Sequence, residues 1–369
     1  MSAPIVGMFS PFILESGISP LAIGLTFASF FLACNLFEIP SSLIADKFSR
    51  KKVIMASSVM FIFCNAIFLF SQSQSAFIIH MVLAGVGVAL FSGTIEALIY
   101  DELKAIGKEE KYQKALSFYH IAFSLGLSTA LFSSSFLMKH GYYVIIVVSL
   151  ALSFTSLLIF TLFMKETPRT KTVDEAHSFR EIFVEGRKTL LHNKTVRYLA
   201  LISIVYGALN CTLGDMAIIT AMELGWLKEN IARIFGFNTI FEAIITYLFV
   251  RYFQNTSVKV MKNIMFFVVI LVIVGMFFGK WWSIFMVFPL WWMDRLKNMV
   301  FDPKIQAQAK SSSRATTTSC ISMAFGMNYC ILMIILGAVA QYYSWTAGFI
   351  TISCIGFAGI LGITRFLKT

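Results

Sequence analysis

Charged side chains are scarce in this sequence. Asp, Glu, Lys and Arg make up only 13% of the 369 residues, while 58% of the residues are hydrophobic. Soluble domains carry roughly 25% charged residues, so this composition excludes an ordinary soluble globular protein. Segments of about ten residues with alternating hydrophobicity, the sign of a membrane β-barrel, are missing as well.

Motifs for catalysis, metal binding and nucleotide binding are also missing. The six cysteines lie in apolar stretches without a Cys-x-x-Cys pair, and the five histidines are scattered along the chain. We therefore expect the cysteines to be buried, inert thiols rather than disulfides or metal ligands. No Gly-x-x-x-x-Gly-Lys-Ser/Thr loop is present for nucleotide phosphates. The sequence predicts no cofactor, no metal site and no enzymatic activity.

Long apolar blocks are what the sequence has in quantity. Blocks of about twenty residues, the length that crosses a hydrocarbon core of about 30 Å, recur along the chain. They predict an all-α polytopic membrane protein with twelve transmembrane helices, near residues 1–16, 20–45, 53–72, 77–100, 115–138, 143–164, 196–222, 230–251, 262–280, 282–303, 315–341 and 345–366. The first block covers only about 24 Å as a helix. We interpret it as a truncated span, with a short tilted helix as the alternative.

The positive charges are concentrated in the loops on one side of these spans. The net charge is +11, and most of the 30 Lys and Arg residues fall on the side that carries the loop after the second span. This asymmetry is the positive-inside pattern, and it predicts that both termini lie in the cytoplasm. Basic loops beside an anionic leaflet explain the charge without a nucleic-acid partner.

The longest polar stretch covers residues 165–195. It predicts an N-terminal six-helix half (1–164), a cytoplasmic connector (165–195) and a C-terminal six-helix half (196–369). Within the connector, residues 178–192 have the pattern of an amphipathic helix that lies on the cytoplasmic face.

A basic turn separates the second and third spans, where residues 46–52 read Asp-Lys-Phe-Ser-Arg-Lys-Lys. The turn resembles the loop-2/3 signature of the Major Facilitator Superfamily, with Ser42 and Ser49 where that family usually has glycine. Residues 92–101 and the Arg-Ala-Thr at 314–316 resemble a drug-efflux-like branch of the same family. The resemblance implies two six-helix halves that rock about a central site.

Four residues at the cytoplasmic end are candidates for a conformational latch. The resemblance implies that the loop with Asp46 and Arg50 holds the two halves together when the transporter faces outward. Asp101 lies at the same end, and Asp46 is placed to cap the exposed N–H groups that open the eleventh helix near Arg314. The alternative is a charged turn that only sets the topology.

Ionisable residues inside the spans form the second set of candidates, because their burial in a membrane is costly. We assign them as proton or substrate residues: Glu38, Glu96, Asp215, Glu242, Asp294 and Arg295. The resemblance implies that spans one, four, seven and ten line the central cavity, which favours Glu96, Asp215 and the Asp294–Arg295 pair. The alternative is that this pair is partly structural and that Lys297 reaches for the cytoplasmic interface.

These patterns together favour a secondary active transporter. We expect it to move a small organic solute by alternating access, with proton-coupled efflux and a monomer as the working unit. Two features typical of drug/proton antiporters are missing: Met81 stands where they carry Arg before Gly-x-Gly, and the fifth span has no Gly-Pro. A facilitator, an uptake carrier of a small metabolite and a transport-inactive membrane sensor or scaffold therefore remain open.

Overall fold

The computed structural model describes residues 4–47, 49–164, 193–253, 256–308 and 314–366. Within these ranges the chain forms twelve α-helices and no β-strand, which confirms the all-α class. The helices are α1 (Phe9–Glu15), α2 (Pro20–Lys47), α3 (Arg50–Ala66), α4 (Gln74–Ala105), α5 (Tyr112–Leu137), α6 (Tyr142–Phe163), α7 (Lys194–Glu223), α8 (Lys228–Tyr252), α9 (Val258–Phe277), α10 (Phe288–Gln308), α11 (Arg314–Tyr342) and α12 (Trp345–Phe366).

Ten of these helices are long and apolar enough to cross a membrane. The two others fail for different reasons. Helix α1 has only 7 residues, so it is shorter than the predicted span at 1–16. The interpretation as a truncated span stays a prediction. Helix α10 has 21 residues but carries several charged side chains, among them Asp294, Arg295 and Lys297.

Several helices begin at a polar capping residue. Ser49 accepts a hydrogen bond from the backbone N–H of Lys52 at the start of α3. Ser73 and Ser257 do the same for α4 and α9, and Asn193 accepts two such bonds at the start of α7. A side-chain oxygen at this position satisfies N–H groups that have no partner within the helix. Ser49 therefore has a local structural role at the position where the resembled signature usually has glycine.

The chain divides into two compact units. The first comprises Met1–Ile18, Ser29–Ala176 and Ala232–Phe237, and in it α3 packs against α4 and α6. The second comprises Ser19–Ala28, His177–Ile231 and Asn238–Thr369, and in it α7 packs against α10, α11 and α12. The three-part division at 164 and 195 stays a prediction. The amphipathic helix expected at 178–192 lies outside the described residues.

Two glycines allow a close crossing of α2 and α11 within the second unit. A Cβ atom added to Gly24 would lie 2.6 Å from the carbonyl oxygen of Met333, and one added to Gly337 would lie 2.7 Å from the carbonyl oxygen of Pro20. Small residues let membrane helices approach until their backbones touch. This crossing therefore depends on both glycines.

The cysteines match their expected chemistry only in part. All six are free thiols. Cys64 and Cys320 are buried, but Cys354 on α12 is exposed, and the expectation that all six are buried is therefore wrong. An apolar sequence context does not tell a helix face that packs inward from a face that meets lipid.

Candidate functional site

An ion pair on α10 is the most deeply buried charged feature that the structure describes. Lys297 Nζ donates to Asp294 Oδ1 at 2.7 Å, and the Lys297 side chain is only 2% exposed. Residues three apart lie on the same helix face, so the two side chains meet without bending the backbone. The alternative that Lys297 reaches for the cytoplasmic interface is wrong, because its side chain is buried and paired with Asp294 on the same helix.

Helix α7 completes the surroundings of Lys297. The ammonium group donates to the carbonyl oxygen of Ser203 at 3.4 Å and lies 5.7 Å from the centre of the Tyr206 ring. Tyr206 is fully buried, and its hydroxyl donates to the carbonyl oxygen of Leu290 at 3.4 Å. A buried ammonium needs such acceptors, since an isolated charge in an apolar interior is very costly.

A second ion pair joins α8 to α10. Arg295 Nε donates to Glu242 Oε1 at 2.8 Å. One turn earlier on each helix, the Trp292 indole N–H donates to Asn238 Oδ1 at 3.0 Å. The candidate pair Asp294–Arg295 is therefore divided: each residue takes its own partner of opposite charge.

Asp215 belongs to a separate contact between α7 and α11. Its Oδ2 atom accepts a hydrogen bond of 2.6 Å from the hydroxyl of Tyr329, whose side chain is buried. A short bond to a carboxylate is among the stronger hydrogen bonds in proteins. Asp215 is thus held by a phenol, whereas Asp294 and Glu242 are held by cations.

A cavity of about 290 Å³ lies beside the two ion pairs. It is lined by Asn210, Glu242, Trp291, Asp294, Arg295 and Asn298. Gly214 on α7 leaves room for the indole of Trp291, because a Cβ atom at that position would lie 2.8 Å from Nε1. The Oδ1 atom of Asn210 is buried, and no hydrogen-bond donor reaches it from the part of the chain that the structure describes.

The structure brings three of the six proton or substrate candidates to this cavity, namely Glu242, Asp294 and Arg295. Glu38 on α2 is half-buried and Glu96 on α4 is exposed, and neither lines the cavity. Burial and the nearby charge of Glu96 raise the pKa of Tyr112, which precedes the span formed by α5. Glu96 therefore acts on the electrostatics at the start of α5.

The latch candidates are described in part. Arg50 and Asp101 form an ion pair with 2.8 Å between Nη2 and Oδ2, which joins α3 to the end of α4 within the first unit. The side chains of Asp46 and Arg314 lie outside the described part of the structure. Latching by these four residues stays a prediction.

We expect the Arg50–Asp101 pair to respond to a charge swap. Asp101→Arg places two cations together and is expected to lower the free energy of unfolding by about 1 kcal/mol, the upper range for a partly exposed pair. The swapped variant Arg50→Asp/Asp101→Arg should regain most of that loss. Thermal unfolding of the purified protein measures both effects. A swapped variant no more stable than Asp101→Arg would contradict a direct interaction between the two side chains.

Sequence reasoning missed Tyr329, and it considered Lys297 only as a residue that reaches for the interface. A signal for the ion pair of Lys297 was available, since Asp294 and Lys297 are three residues apart on one helix face. No comparable signal marked Tyr329, because its partner Asp215 lies on another helix.

Ten candidate spans, with a polar, charged cavity among the helices, indicate a multi-pass integral membrane protein. The family model of the Major Facilitator Superfamily matches residues 1–293, so the chain belongs to this family of transporters. The match covers the predicted N-terminal half, the connector and the helices through the start of α10.

The individual proteins that this chain resembles share little sequence identity with it. An uncharacterized transporter of Buchnera aphidicola, BU466, is 25% identical over 185 residues, which is 49% of this chain and 45% of that protein. The solved nucleoside transporter NupG has a TM-score of 0.79 at 15% identity, over 99% of this chain and 95% of NupG. A bacterial homolog of the human lysosomal transporter Spinster has a TM-score of 0.71 at 15% identity, over 99% and 92% of the two chains. At this identity, the solved structures support the fold alone.

Proposed function

We propose that this protein is a secondary active transporter that exports a small organic solute in exchange for protons. Its membership of the Major Facilitator Superfamily supports transport by alternating access of a central site. The resemblance of residues 92–101 and 314–316 to a drug-efflux-like branch favours export. A monomer suffices for alternating access of a central site.

The observation that carries the proposal is the Asp294–Lys297 ion pair beside the cavity. Charged side chains within a membrane protein are costly and are usually retained for function. Here the cation is almost completely buried, while Asp294 is 21% exposed and lines the cavity. One partner is thus held in the protein, and the other is accessible to protons and solute.

This arrangement couples a proton to a solute by competition. When Asp294 is ionised, its carboxylate faces the cavity and accepts a hydrogen bond from a donor group of the solute. When Asp294 takes a proton, it loses this capacity and the solute leaves. Because the proton and the solute occupy Asp294 in turn, protons that move down their gradient drive the solute in the opposite direction.

We expect proteoliposomes with the full-length protein to show proton flux that depends on one solute from a broad panel. Asp294→Asn should abolish this flux, because the amide cannot exchange a proton. Glu96→Gln and Asp215→Asn are run in parallel, since both are candidate proton sites. Glu110→Gln, which changes an exposed carboxylate outside the cavity, is the matched control.

The possible outcomes separate the alternatives. Flux that is lost in Asp294→Asn and kept in Glu110→Gln supports the proposed coupling, and the sign of the driving gradient gives the direction. Solute movement without proton flux would overturn coupling and favour a facilitator. No movement of any solute across the panel would favour a transport-inactive sensor or scaffold.

A further inference from the structure

A continuous row of aromatic rings leads from the 3₁₀ segment Trp281–Val287 into the start of α10 and to the cavity. Its ring centres are 6.4 Å apart between Trp281 and Phe285, 5.6 Å between Phe285 and Phe288, and 5.6 Å between Phe288 and Trp291. The row begins at Trp281, which is 58% exposed, and ends at Trp291 in the cavity wall. The predicted topology places the Trp281 end on the side opposite the basic loops.

The outer end of this row is held in place by Trp226. Its indole N–H donates to the carbonyl oxygen of Trp281 at 2.6 Å, and its ring lies 5.7 Å from Trp281 and 5.6 Å from Phe285. At the inner end, the indole of Trp291 lies against Gly214, which has no side chain that would displace it. The contacts at each end therefore fix the positions of Trp281 and Trp291.

The charges of the cavity wall are balanced. Glu242 is paired with Arg295, and Asp294 is paired with Lys297. A wall whose charges compensate each other has little net attraction for an anion or a cation. This balance favours a solute without net charge.

The wall also presents one unused acceptor. No donor from the described residues bonds to the buried Oδ1 atom of Asn210. Leaving such an atom unsatisfied is costly, and an N–H group of a bound solute would remove the cost. An acceptor on the same solute would suit the amide N–H groups of Asn298, which also lines the cavity.

The size of the cavity restricts the solute further. Its volume of about 290 Å³ lies at the small end of ligand pockets, which span about 300–1,000 Å³. A compound of one or two rings fits this space, and a large amphiphilic drug does not. A flat ring would stack on Trp291, as nitrogen bases stack on aromatic side chains.

We propose that the transported solute is a small, uncharged nitrogen heteroaromatic compound that carries both N–H donors and ring or carbonyl acceptors. It stacks on Trp291 and donates to Asn210. This inference rests on the proposed transport function and defines the substrate class of the same site.

Equilibrium binding of radiolabelled uracil and hypoxanthine to the purified, full-length protein tests the substrate class without requiring transport. We expect saturable binding of at least one probe. Trp291→Leu and Asn210→Leu should each weaken it by about tenfold or more, from lost stacking and a lost hydrogen bond. Trp291→Phe, which keeps a ring, should retain most of the affinity.

Two matched controls use the same substitutions outside the cavity. Trp282→Leu changes a tryptophan that packs at a tilt against Phe278 and lies outside the row, and Asn263→Leu changes an exposed asparagine on α9. Both should leave binding unchanged. The melting temperature of every variant shows whether it is folded.

Competition by unlabelled compounds and measurements of proton flux distinguish the possible outcomes. Displacement of the probe by benzoate, tetraphenylphosphonium or glucose as readily as by unlabelled probe would overturn the proposed class. So would the absence of saturable binding, or equal binding by folded Trp291→Leu protein. Probe binding without probe-driven proton flux would leave the substrate class standing and overturn the proposed coupling. Proton flux driven only by a solute of another class would overturn the substrate class and leave the proposed coupling standing.

Discussion

Lys297→Met is expected to abolish solute-coupled proton flux and to destabilise the protein strongly. Methionine has similar length and keeps the apolar contacts of the lysine stem, but it removes the cation that faces Asp294 at 2.7 Å. Removing one member of a buried ion pair leaves an uncompensated charge and typically costs about 3–5 kcal/mol. Thermal unfolding of the purified protein measures the stability loss, and proteoliposome flux measures the activity.

The double variant Asp294→Asn/Lys297→Met separates stability from function. It removes both charges, so we expect it to regain most of the lost stability, because a buried ion pair can be replaced by neutral side chains at little net cost. Coupled flux should stay absent, since the exchangeable carboxylate is gone. A double variant as unstable as Lys297→Met would show that the two side chains do not form an energetic unit. Coupled flux in that variant would contradict the proposed proton site.

Gly24→Ala is expected to lower the free energy of unfolding by about 1–3 kcal/mol, the typical cost of forcing an extra methyl group into a packed site. The new Cβ atom would lie 2.6 Å from the carbonyl oxygen of Met333. That oxygen belongs to the backbone of α11, so a rotamer change cannot move it aside. The crossing of α2 and α11 must widen instead, which thermal unfolding in detergent detects.

Gly362→Ala is the matched control for this prediction. Gly362 lies within α12, and a Cβ atom added there would meet no atom within 4 Å. Alanine has a higher helix propensity than glycine by about 0.8–1.0 kcal/mol, so this variant should be as stable as the parent protein or slightly more stable. If Gly24→Ala behaved like Gly362→Ala, the close crossing would not contribute to stability.

The positions of the helices could be predicted closely because the membrane imposes a minimum length on each apolar segment. The predicted spans at 143–164 and 345–366 correspond to α6, Tyr142–Phe163, and α12, Trp345–Phe366. Helix α10 was also predicted near its observed place, although its charges exclude it from the ten candidate spans. The prediction of this helix rested on its apolar flanks and on the regular spacing of the other spans.

The pairing of the charged residues could not be predicted as reliably. Asp294 and Arg295 are neighbours in sequence, but successive residues on a helix point about 100° apart. They therefore face different partners: Asp294 bonds to Lys297 on its own helix, and Arg295 bonds to Glu242 on α8. The alternative that Lys297 reaches for the interface failed because Asp294, three residues earlier on the same helix, holds its ammonium group inside the protein.

The sequence by itself determined the all-α membrane class, the approximate span limits and the residues whose burial would be costly. These properties depend on composition and on the lengths of apolar segments. The rise per residue of a helix and the thickness of a bilayer together set how long a spanning segment must be. Only the tertiary structure decided which of the costly residues meet. The cavity beside Asp294, the acceptor of Asn210 that lacks a donor among the described residues, and the contact of Asp215 with Tyr329 each require side chains from different helices. Such contacts depend on the rotation and crossing of packed helices, which the order of residues along one helix does not specify.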